Sequence, residues 1–248
     1  MSLREFLAEM GAQRRTVTVY SAQAHPELAD RLADWNVELR FDRLPEGVQR
    51  AFITVRQGER FLAGIDASVL ADFFEPSLTT PGTDPHGGRE LSAFLDHLDE
   101  TLFHGATRRQ LLAATREFED RAWRVGGGVL RVGFQRPAAL EVQRTVYRRL
   151  AERGLDVHVY FDGDWDTATI PGVRMHAVRN DEIGLFWFFV FDGGPALPVE
   201  ADLGQDWQAS QACALLAREA EPGVYSGFWT YDTRWVQALL DYLTGTYG

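Results

Sequence analysis

The chain has 248 residues, 45% of them hydrophobic, which is typical of a globular protein with one large domain or two small ones. Its 36 acidic and 25 basic residues give a formal net charge of −11, and lysine is absent from the sequence. The missing lysine excludes Schiff-base chemistry and a P-loop, and the acidic balance argues against non-specific nucleic-acid binding, which depends on cationic side chains.

The single cysteine, Cys213, excludes an intrachain disulfide and any zinc site built on two cysteines of this chain. No apolar run approaches the ~20 residues that cross a bilayer, and the first segment lacks the apolar core of a signal peptide. The sequence therefore predicts a cytoplasmic chain with no membrane partner. An acidic chain without lysine also suits a GC-rich, high-salt cytoplasm, so a halophilic source is a hypothesis.

Residues 1–75 are predicted to form an N-terminal α/β half. Apolar periodicity and turn residues indicate strands over residues 14–21, 37–41, 51–55 and 60–65, and helices over residues 25–35 and 67–74. Residues 76–88 are rich in proline and glycine, and they are the predicted linker.

Residues 89–248 are predicted to form a second α/β series. In chain order we expect helices over residues 89–103 and 107–125, a strand over 129–134, a helix over 138–153, strands over 157–161, 172–178, 185–191 and 196–199, and helices over 207–220 and 233–243. Thr107 and Gln110 have the spacing of a capping box. Residues 185–191, LFWFFVF, are apolar throughout, which indicates a central strand buried on both faces.

These elements predict an α/β fold with a central mixed sheet flanked by helices. Both halves follow the order strand, helix, strand, strand, strand, helix, so two related β-α-β-β-β-α halves from an old duplication are one interpretation. Coincidence is the other, because β-α-β order is common in folds of this class. Cys213 lies in the predicted helix over residues 207–220, where a buried structural thiol is expected.

The motifs that carry chemistry in other proteins are incomplete in this chain. The glycine run at residues 126–128 ends a helix and precedes a strand, the reverse of a phosphate-binding loop. Asp162, Asp164 and Asp166 are not followed by the glycine and glutamate that an EF-hand requires, and the six histidines show no ligand spacing. We therefore predict no cofactor and no catalytic metal.

The densest polar segment is REFEDRAWR, residues 116–124. Glu117 with Arg121, and Asp120 with Arg124, are acid-before-base pairs four residues apart. Such pairs are typical of a salt-bridged helix face in contact with solvent, which is the structural interpretation of this segment.

This segment lies within ATRRQLLAATREFEDRAWRVGGGVLRVGFQR, which is followed by VYRRLAERGLDVHVYF, FWFFVFDGG and YSGFWTYD. The blocks in this order resemble the DICT sensory domain, a family that occurs with diguanylate cyclases and two-component systems. The resemblance extends over residues 105–232 and leaves residues 1–75 uncovered. It implies a sensory or regulatory role, ligand- or light-linked, without established catalytic residues. The positions that match the family pattern are Arg116, Glu119, Ala122, Gly126, Gly133, Phe134 and Gln135.

Three functions are compatible with the sequence. The first is a non-catalytic sensory module that contacts signalling proteins, with a small-molecule ligand and homo-oligomerisation as options; its predicted ligand or signalling surface is Arg116, Glu119, Arg121, Trp123, Phe134 and Gln135. The second is a pure interaction or scaffold protein that uses Trp229 and Tyr231 as exposed aromatics. The third is an enzyme of unrecognised type. A polar cleft beside Gln135 would favour the first, a flat apolar patch the second, and a cleft with strongly shifted pKa values the third.

Overall fold

Two β-sheets organise the part of the chain that the computed structural model describes, residues 2–9, 15–48, 50–74, 91, 94–99, 101–165, 168–194 and 211–248. The predicted linker over residues 76–88 and the predicted strand over residues 196–199 lie outside the described residues.

The first sheet has four strands in the order β2-β1-β3-β4. Its elements are α1 (Leu3–Glu9), β1 (Thr16–Ser21), α2 (Pro26–Ala33), β2 (Glu38–Arg43), β3 (Phe52–Gln57), β4 (Arg60–Asp66) and α3 (Ala67–Phe74). β1 and β2 are parallel and joined through α2, whereas β3 is antiparallel to both β1 and β4.

The second sheet has seven strands in the order β5-β11-β10-β9-β6-β7-β8. Its elements are β5 (Thr101–Thr107), α4 (Arg108–Val125), β6 (Gly128–Phe134), α5 (Pro137–Glu152), β7 (Leu155–Phe161), β8 (Val173–Ala177), α6 (Asp181–Leu185), β9 (Phe186–Phe191), β10 (Cys213–Glu221), β11 (Val224–Thr230) and α7 (Thr233–Tyr247). β6, β7 and β8 are parallel, and the strands from β9 to β5 pair antiparallel.

Helices cover both faces of the second sheet. α4 and α5 pack on one face, where Phe118 and Leu150 join the same core as Val132 of β6. α7 and α1 pack on the other face, where Leu239 and Phe6 belong to a second core. The first core also includes side chains of the four-stranded sheet, so the two sheets share apolar packing. The predicted mixed α/β fold with flanking helices is confirmed.

The chain's most apolar run forms the predicted buried strand. All six residues of β9 are buried, and β9 lies between β6 and β10, as expected for a central strand. The predicted capping box is also present, because the Thr107 hydroxyl accepts a hydrogen bond from the Gln110 backbone and the Gln110 side chain accepts one from the Thr107 backbone.

Two predicted helices are wrong in part. Residues 213–220 lie in β10 rather than in a helix, and Cys213 is fully buried in that strand. Residues 101–103 belong to β5, although residues 91 and 94–96 are helical as predicted. β11 was not predicted. The division into residues 1–75 and 89–248 stays a prediction, since the boundary falls outside the described residues and α1 packs on the second sheet.

Within the described ranges, no helix combines the length and the apolar character that crossing a membrane requires.

Candidate functional site

The helix that carries the predicted site residues is charged but buried. α4 begins at the Thr107 capping box and ends at Gly126, whose left-handed backbone (φ 72°) closes the helix. Glu117, Glu119 and Arg121 are 4%, 1% and 0% exposed. The prediction of a solvent-facing, salt-bridged helix face is therefore wrong for these three residues. Such burial requires each charge to be matched by partners.

The first set of partners, the Arg116 network, consists of Arg116, Glu119, Gln143 and Tyr147. The Arg116 guanidinium donates to the Glu119 carboxylate and to the Gln143 side-chain oxygen. The Tyr147 hydroxyl donates to Glu119 Oε1 over 2.7 Å. The Arg116 side chain keeps 15% of its surface exposed, whereas that of Glu119 keeps 1%. The network thus runs from the half-buried Arg116 and Gln143 to a fully enclosed carboxylate between α4 and α5.

Burial governs the ionisation of this network. It raises the pKa of Glu119, although the Arg116 guanidinium and the Tyr147 hydroxyl both act in the opposite direction. Burial, and then the neighbouring Glu119 carboxylate, raises the pKa of the Tyr147 phenol. Glu119 is consequently ionised only as far as Arg116 and Tyr147 compensate for the lost hydration.

A second set of partners, the Arg121 network, consists of Arg121, Glu117, Asp96, Arg124 and Tyr231. Arg121 Nη2 lies 2.6 Å from Asp96 Oδ1 and 3.5 Å from Glu117 Oε1. Its guanidinium also stacks 4.5 Å from the centre of the Tyr231 ring. The predicted contact between Glu117 and Arg121 is confirmed, but it is a buried contact. Arg124 also pairs with Glu117, at 3.9 Å. This network joins α4 to Tyr231, which directly follows β11, and to Asp96 in the segment that precedes β5.

Phe134 belongs to the same side of the sheet as the Arg116 network. Its ring meets the Tyr147 ring edge-on, with centroids 5.3 Å apart and an interplanar angle of 87°. Phe134 is buried, so it contributes apolar packing beneath the network rather than an accessible surface.

Trp123 and Gln135 lie away from both networks. The Trp123 ring packs under the guanidinium groups of Arg149 and Arg153 of the α5 region, 5.2 and 5.7 Å from its centroid. Gln135 follows β6, and its amide donates to the Leu185 carbonyl over 3.2 Å and faces Glu219 at 3.4 Å. The six predicted residues therefore do not form one surface: two share the Arg116 network, Phe134 supports it, and the others lie elsewhere.

The sequence analysis missed Gln143, Tyr147 and Asp96. Tyr147 lies on the apolar side of α5 together with Val146 and Leu150, and a buried tyrosine commonly directs its hydroxyl to a polar partner. That signal could have indicated a polar group opposite α5. Asp96 and Gln143 carry no comparable signal.

A cleft is present, but not beside Gln135. A cavity of about 1520 Å³ lies at the carboxyl ends of β1 and β2, and its lining includes Ser21, His25, Arg43 and Asp66. Trp229 and Tyr231 are 4% and 8% exposed, so the exposed aromatic surface predicted for an interaction protein is wrong. In the described part of the chain, no group of three or more histidine, cysteine, aspartate or glutamate side chains is arranged to hold a metal ion.

Comparisons with known proteins place the two networks within one family signature. A family model described as the sensory domain in diguanylate cyclases and two-component systems, DICT, matches residues 92–220. This span includes every member of the Arg116 network and every member of the Arg121 network except Tyr231. No curated protein matches the sequence.

Among solved structures, the chain is similar to the crystal structure of polyphosphate kinase from Porphyromonas gingivalis, with a TM-score of 0.37 and 10% sequence identity. The alignment covers 98% of this chain and 47% of that one, so this chain spans about half the length of the kinase. A likeness at this level supports no conclusion about fold or activity.

Proposed function

The chain belongs to the DICT family of sensory domains, and from this membership we propose that it is a non-catalytic sensory module that passes its signal to other signalling proteins by direct contact. The observation that carries the proposal is the Arg116 network. It connects a half-buried entrance to an enclosed carboxylate, and it lies within the family match.

The network has the energetic character of a switch. Breaking a buried ion pair on one side leaves an uncompensated charge, which typically costs about 3–5 kcal/mol. A ligand or partner that draws Arg116 away from Glu119 must therefore be accompanied by protonation or movement of the Glu119 side chain. Because burial already raises the pKa of Glu119, protonation is the readier response. A small change at the entrance would thus convert the network between two discrete arrangements.

The contacts of Tyr147 supply a route from the network to the sheet. Tyr147 holds Glu119 through its hydroxyl and packs its ring on Phe134 of β6. Gln135, the next residue, bonds the Leu185 carbonyl at the end of α6. A shift of Tyr147 would therefore reach the end of β6, where the Gln135 side chain contacts Leu185 of α6 and Glu219 of β10.

The outer surface of α5 is the proposed contact surface for a partner. Val142 is 78% exposed and precedes Gln143, the surface member of the network. A partner that covers Val142 would lie beside Gln143 at the network entrance. Association of the chain with itself remains a prediction.

The test uses cells in which the gene is replaced by single variants. Genes whose expression changes when the chain is deleted define the signalling readout. Glu119→Gln keeps the side-chain shape but removes the charge, and Gln143→Ala removes one acceptor of Arg116 at the entrance. The matched control is Arg148→Gln, because Arg148 pairs with Glu152 at 2.7 Å on the exposed side of the same helix.

We expect both network variants to give the expression profile of the deletion strain, while the control variant gives the wild-type profile. Circular dichroism and thermal unfolding of the purified variants establish that each remains folded; Gln143→Ala, with a half-buried side chain, provides the decisive arm if Glu119→Gln unfolds. A wild-type expression profile for folded Glu119→Gln and Gln143→Ala would show that the Arg116 network has a purely structural role.

A further inference from the structure

A separate group of basic and aromatic side chains lies on the opposite face of the seven-stranded sheet from α4 and α5. Along β6 and β7, Leu130, Val132, Val157 and Val159 face the first core, so the residues between them face the other way. Strand pairing aligns Arg131 with His158 and then His158 with Arg174, and it aligns Tyr160 with His176 on β8. We call these five residues the Arg131 cluster: Arg131, His158, Tyr160, Arg174 and His176.

The cluster is closely packed. Arg131 Nη1 donates to the Tyr160 hydroxyl and lies 3.3 Å from His158 Nδ1. Arg174 Nη1 lies 3.1 Å from His158 Nε2, on the opposite side of that ring. The His176 ring stacks on Tyr160 at 4.5 Å and lies parallel to the His158 ring at 5.2 Å.

This arrangement has more hydrogen-bond donors than acceptors. A neutral imidazole has one N–H donor and one acceptor nitrogen. Both ring nitrogens of His158 face guanidinium N–H groups, and Nδ1 also lies 3.0 Å from His176 Nε2, so a neutral His158 can accept a hydrogen bond from only one of the two arginines. Arg131 Nε is also buried and has no partner among the described residues. The described residues therefore leave at least one buried N–H donor of the cluster without an acceptor.

The Arg131 cluster also has more positive than negative charge. Arg131 is 6% exposed, and no carboxylate of the described ranges lies within ion-pair distance of it. Among the described residues, Asp156 is the only carboxylate that pairs with a member of the cluster; it lies 3.0 Å from Arg174 Nη1 and 3.4 Å from His158 Nε2. Two guanidinium groups thus face a single carboxylate. A buried charge without a counter-charge is expensive, and an anion is the group that would satisfy both the charge and the spare donors.

We propose that the Arg131 cluster binds an oxyanion, the phosphate or carboxylate group of a small molecule, through Arg131 and Arg174. The site opens at the sheet edge, since β8 is the last strand and the Arg174 side chain is 64% exposed. The flat stack of His176 on Tyr160 supplies an aromatic surface beside the anion. This site goes beyond the proposed sensing role of the Arg116 network and shares no residue with it.

The two imidazoles make the binding pH-dependent. Burial, together with the nearby guanidinium groups, lowers the pKa of both His158 and His176. The charged or titratable groups that face these rings are Arg131 on β6, Asp156 and Tyr160 on β7, and Arg174 on β8, with Tyr247 of α7 against Tyr160. A bound anion would raise both imidazole pKa values, so binding takes up protons and its affinity rises as the pH falls.

Isothermal titration calorimetry of the full chain with inorganic phosphate tests the proposal. Arg174→Gln is expected to weaken phosphate binding at least tenfold, about 1.4 kcal/mol, while Arg148→Gln on α5 leaves it unchanged. Arg131→Met should abolish binding and leave the melting temperature unchanged or higher, because it removes a buried charge that has no counter-charge. Arg174→Gln decides the question if Arg131→Met does not fold.

Further titrations identify the source of the anion and the role of the histidines. Tighter binding of phenyl phosphate than of inorganic phosphate would indicate an organic phosphate that stacks on His176, whereas equal affinities would indicate the free anion. Saturable binding of acetate alone would assign the site to carboxylates. Sulfate, whose charge is constant where imidazole titrates, should bind more tightly as the pH falls, and His176→Ala should reduce that dependence.

Two results would overturn the proposal. One is the absence of saturable binding of phosphate, phenyl phosphate and acetate to the wild-type chain. The other is equal weakening by Arg174→Gln and Arg148→Gln, since that would show general attraction of anions to surface arginines. Neither result bears on the proposed role of the Arg116 network, which is tested through other residues and in cells.

Discussion

Replacing Tyr147 by phenylalanine removes one hydroxyl from the Arg116 network and changes little else. The Tyr147 ring is 1% exposed and packs on Phe134, and phenylalanine keeps that packing. The lost group donates to Glu119 Oε1 over 2.7 Å. The variant therefore measures how much a single hydrogen bond to the buried Glu119 carboxylate contributes to the free energy of unfolding.

The size of the effect follows from the charge of the acceptor. A hydrogen bond to a charged group contributes about 1.5–3 kcal/mol, and a neutral one about 0.5–1.5 kcal/mol. At neutral pH we expect Tyr147→Phe to lower the free energy of unfolding by about 1.5–3 kcal/mol. For a chain of this size, each 1 kcal/mol lowers the melting temperature by about 2–4 °C.

A sharper test is the pH dependence of the stability deficit, the amount by which Tyr147→Phe lowers the free energy of unfolding. Burial raises the pKa of Glu119, and the Tyr147 hydroxyl opposes that rise, so its removal raises the folded-state pKa further. A glutamate whose folded pKa exceeds its unfolded pKa loses stability as the pH rises through the interval between the two. Tyr147→Phe widens that interval, so its deficit should be smallest in acid and grow toward neutral pH.

Urea denaturation at several pH values, followed by far-ultraviolet circular dichroism, measures the deficit. Tyr20→Phe is the matched control, because the Tyr20 ring stacks on Phe52 at 4.7 Å and its hydroxyl has no hydrogen bond to another described residue. The control should stay within about 0.5 kcal/mol of the wild type. Equal deficits for the two variants, or a Tyr147→Phe deficit that shrinks as the pH rises, would refute the assignment of an ionised Glu119.

Two further predictions concern the core. Phe189→Ala in β9 should lower the free energy of unfolding by about 3–5 kcal/mol, since Phe189 is fully buried and faces Phe118 with centroids 5.9 Å apart; a loss below about 1 kcal/mol in urea denaturation would contradict a central position for β9. The Cys213 thiol is fully buried, and burial raises its pKa, so in the native chain it should react with a thiol reagent no faster than the chain unfolds. Prompt stoichiometric labelling of native protein, compared with a sample in urea, would show that β10 opens locally.

The strands that were predicted well are those whose local sequence favours a strand over a helix. Residues 185–191 contain only large apolar side chains and are followed by turn residues, and the parallel strands β6 and β7 come directly after helix-ending glycines. β10 was mistaken for a helix because its apolar residues, CALLA, are strong helix formers and a strand buried on both faces shows no alternation. Its strand state depends on pairing with β9 and β11, which the local sequence does not reveal.

β11 was missed for a related reason. Gly227 interrupts its pattern and indicates a turn, yet it lies inside the strand. A Cβ atom at this position would lie 2.2 Å from the Leu216 carbonyl oxygen of β10. The glycine is thus required by close approach of two strands, a tertiary constraint.

The local sequence indicates which polar residues share α4, but it does not indicate their environment. Arg116 and Glu119 are three residues apart, and residues at this spacing are neighbours on a helix, as their ion pair shows. Their burial depends on partners that are distant in sequence: Tyr147 is 28 residues from Glu119, and Asp96 is 25 residues from Arg121. A charged helix is usually exposed. The contacts with these distant partners offset the desolvation cost of its buried charges, and they exist only in the folded structure.

Arg116, Arg121 and Arg131 differ in how their positive charge is balanced. This difference is the reason why a structural role is sufficient for some of them and a ligand is proposed for another. Arg116 and Arg121 each contact a carboxylate on their own helix, so the folded chain accounts for their burial. Arg131 is nearly as enclosed as Arg121 but faces a phenol and an imidazole, neither of which carries a negative charge at neutral pH. Folding alone would favour a neutral side chain at that position. The charge of Arg131 is therefore the basis of the proposed oxyanion site, whereas that of Arg116 is balanced by Glu119 and would have a sensory role only if this pairing can be broken.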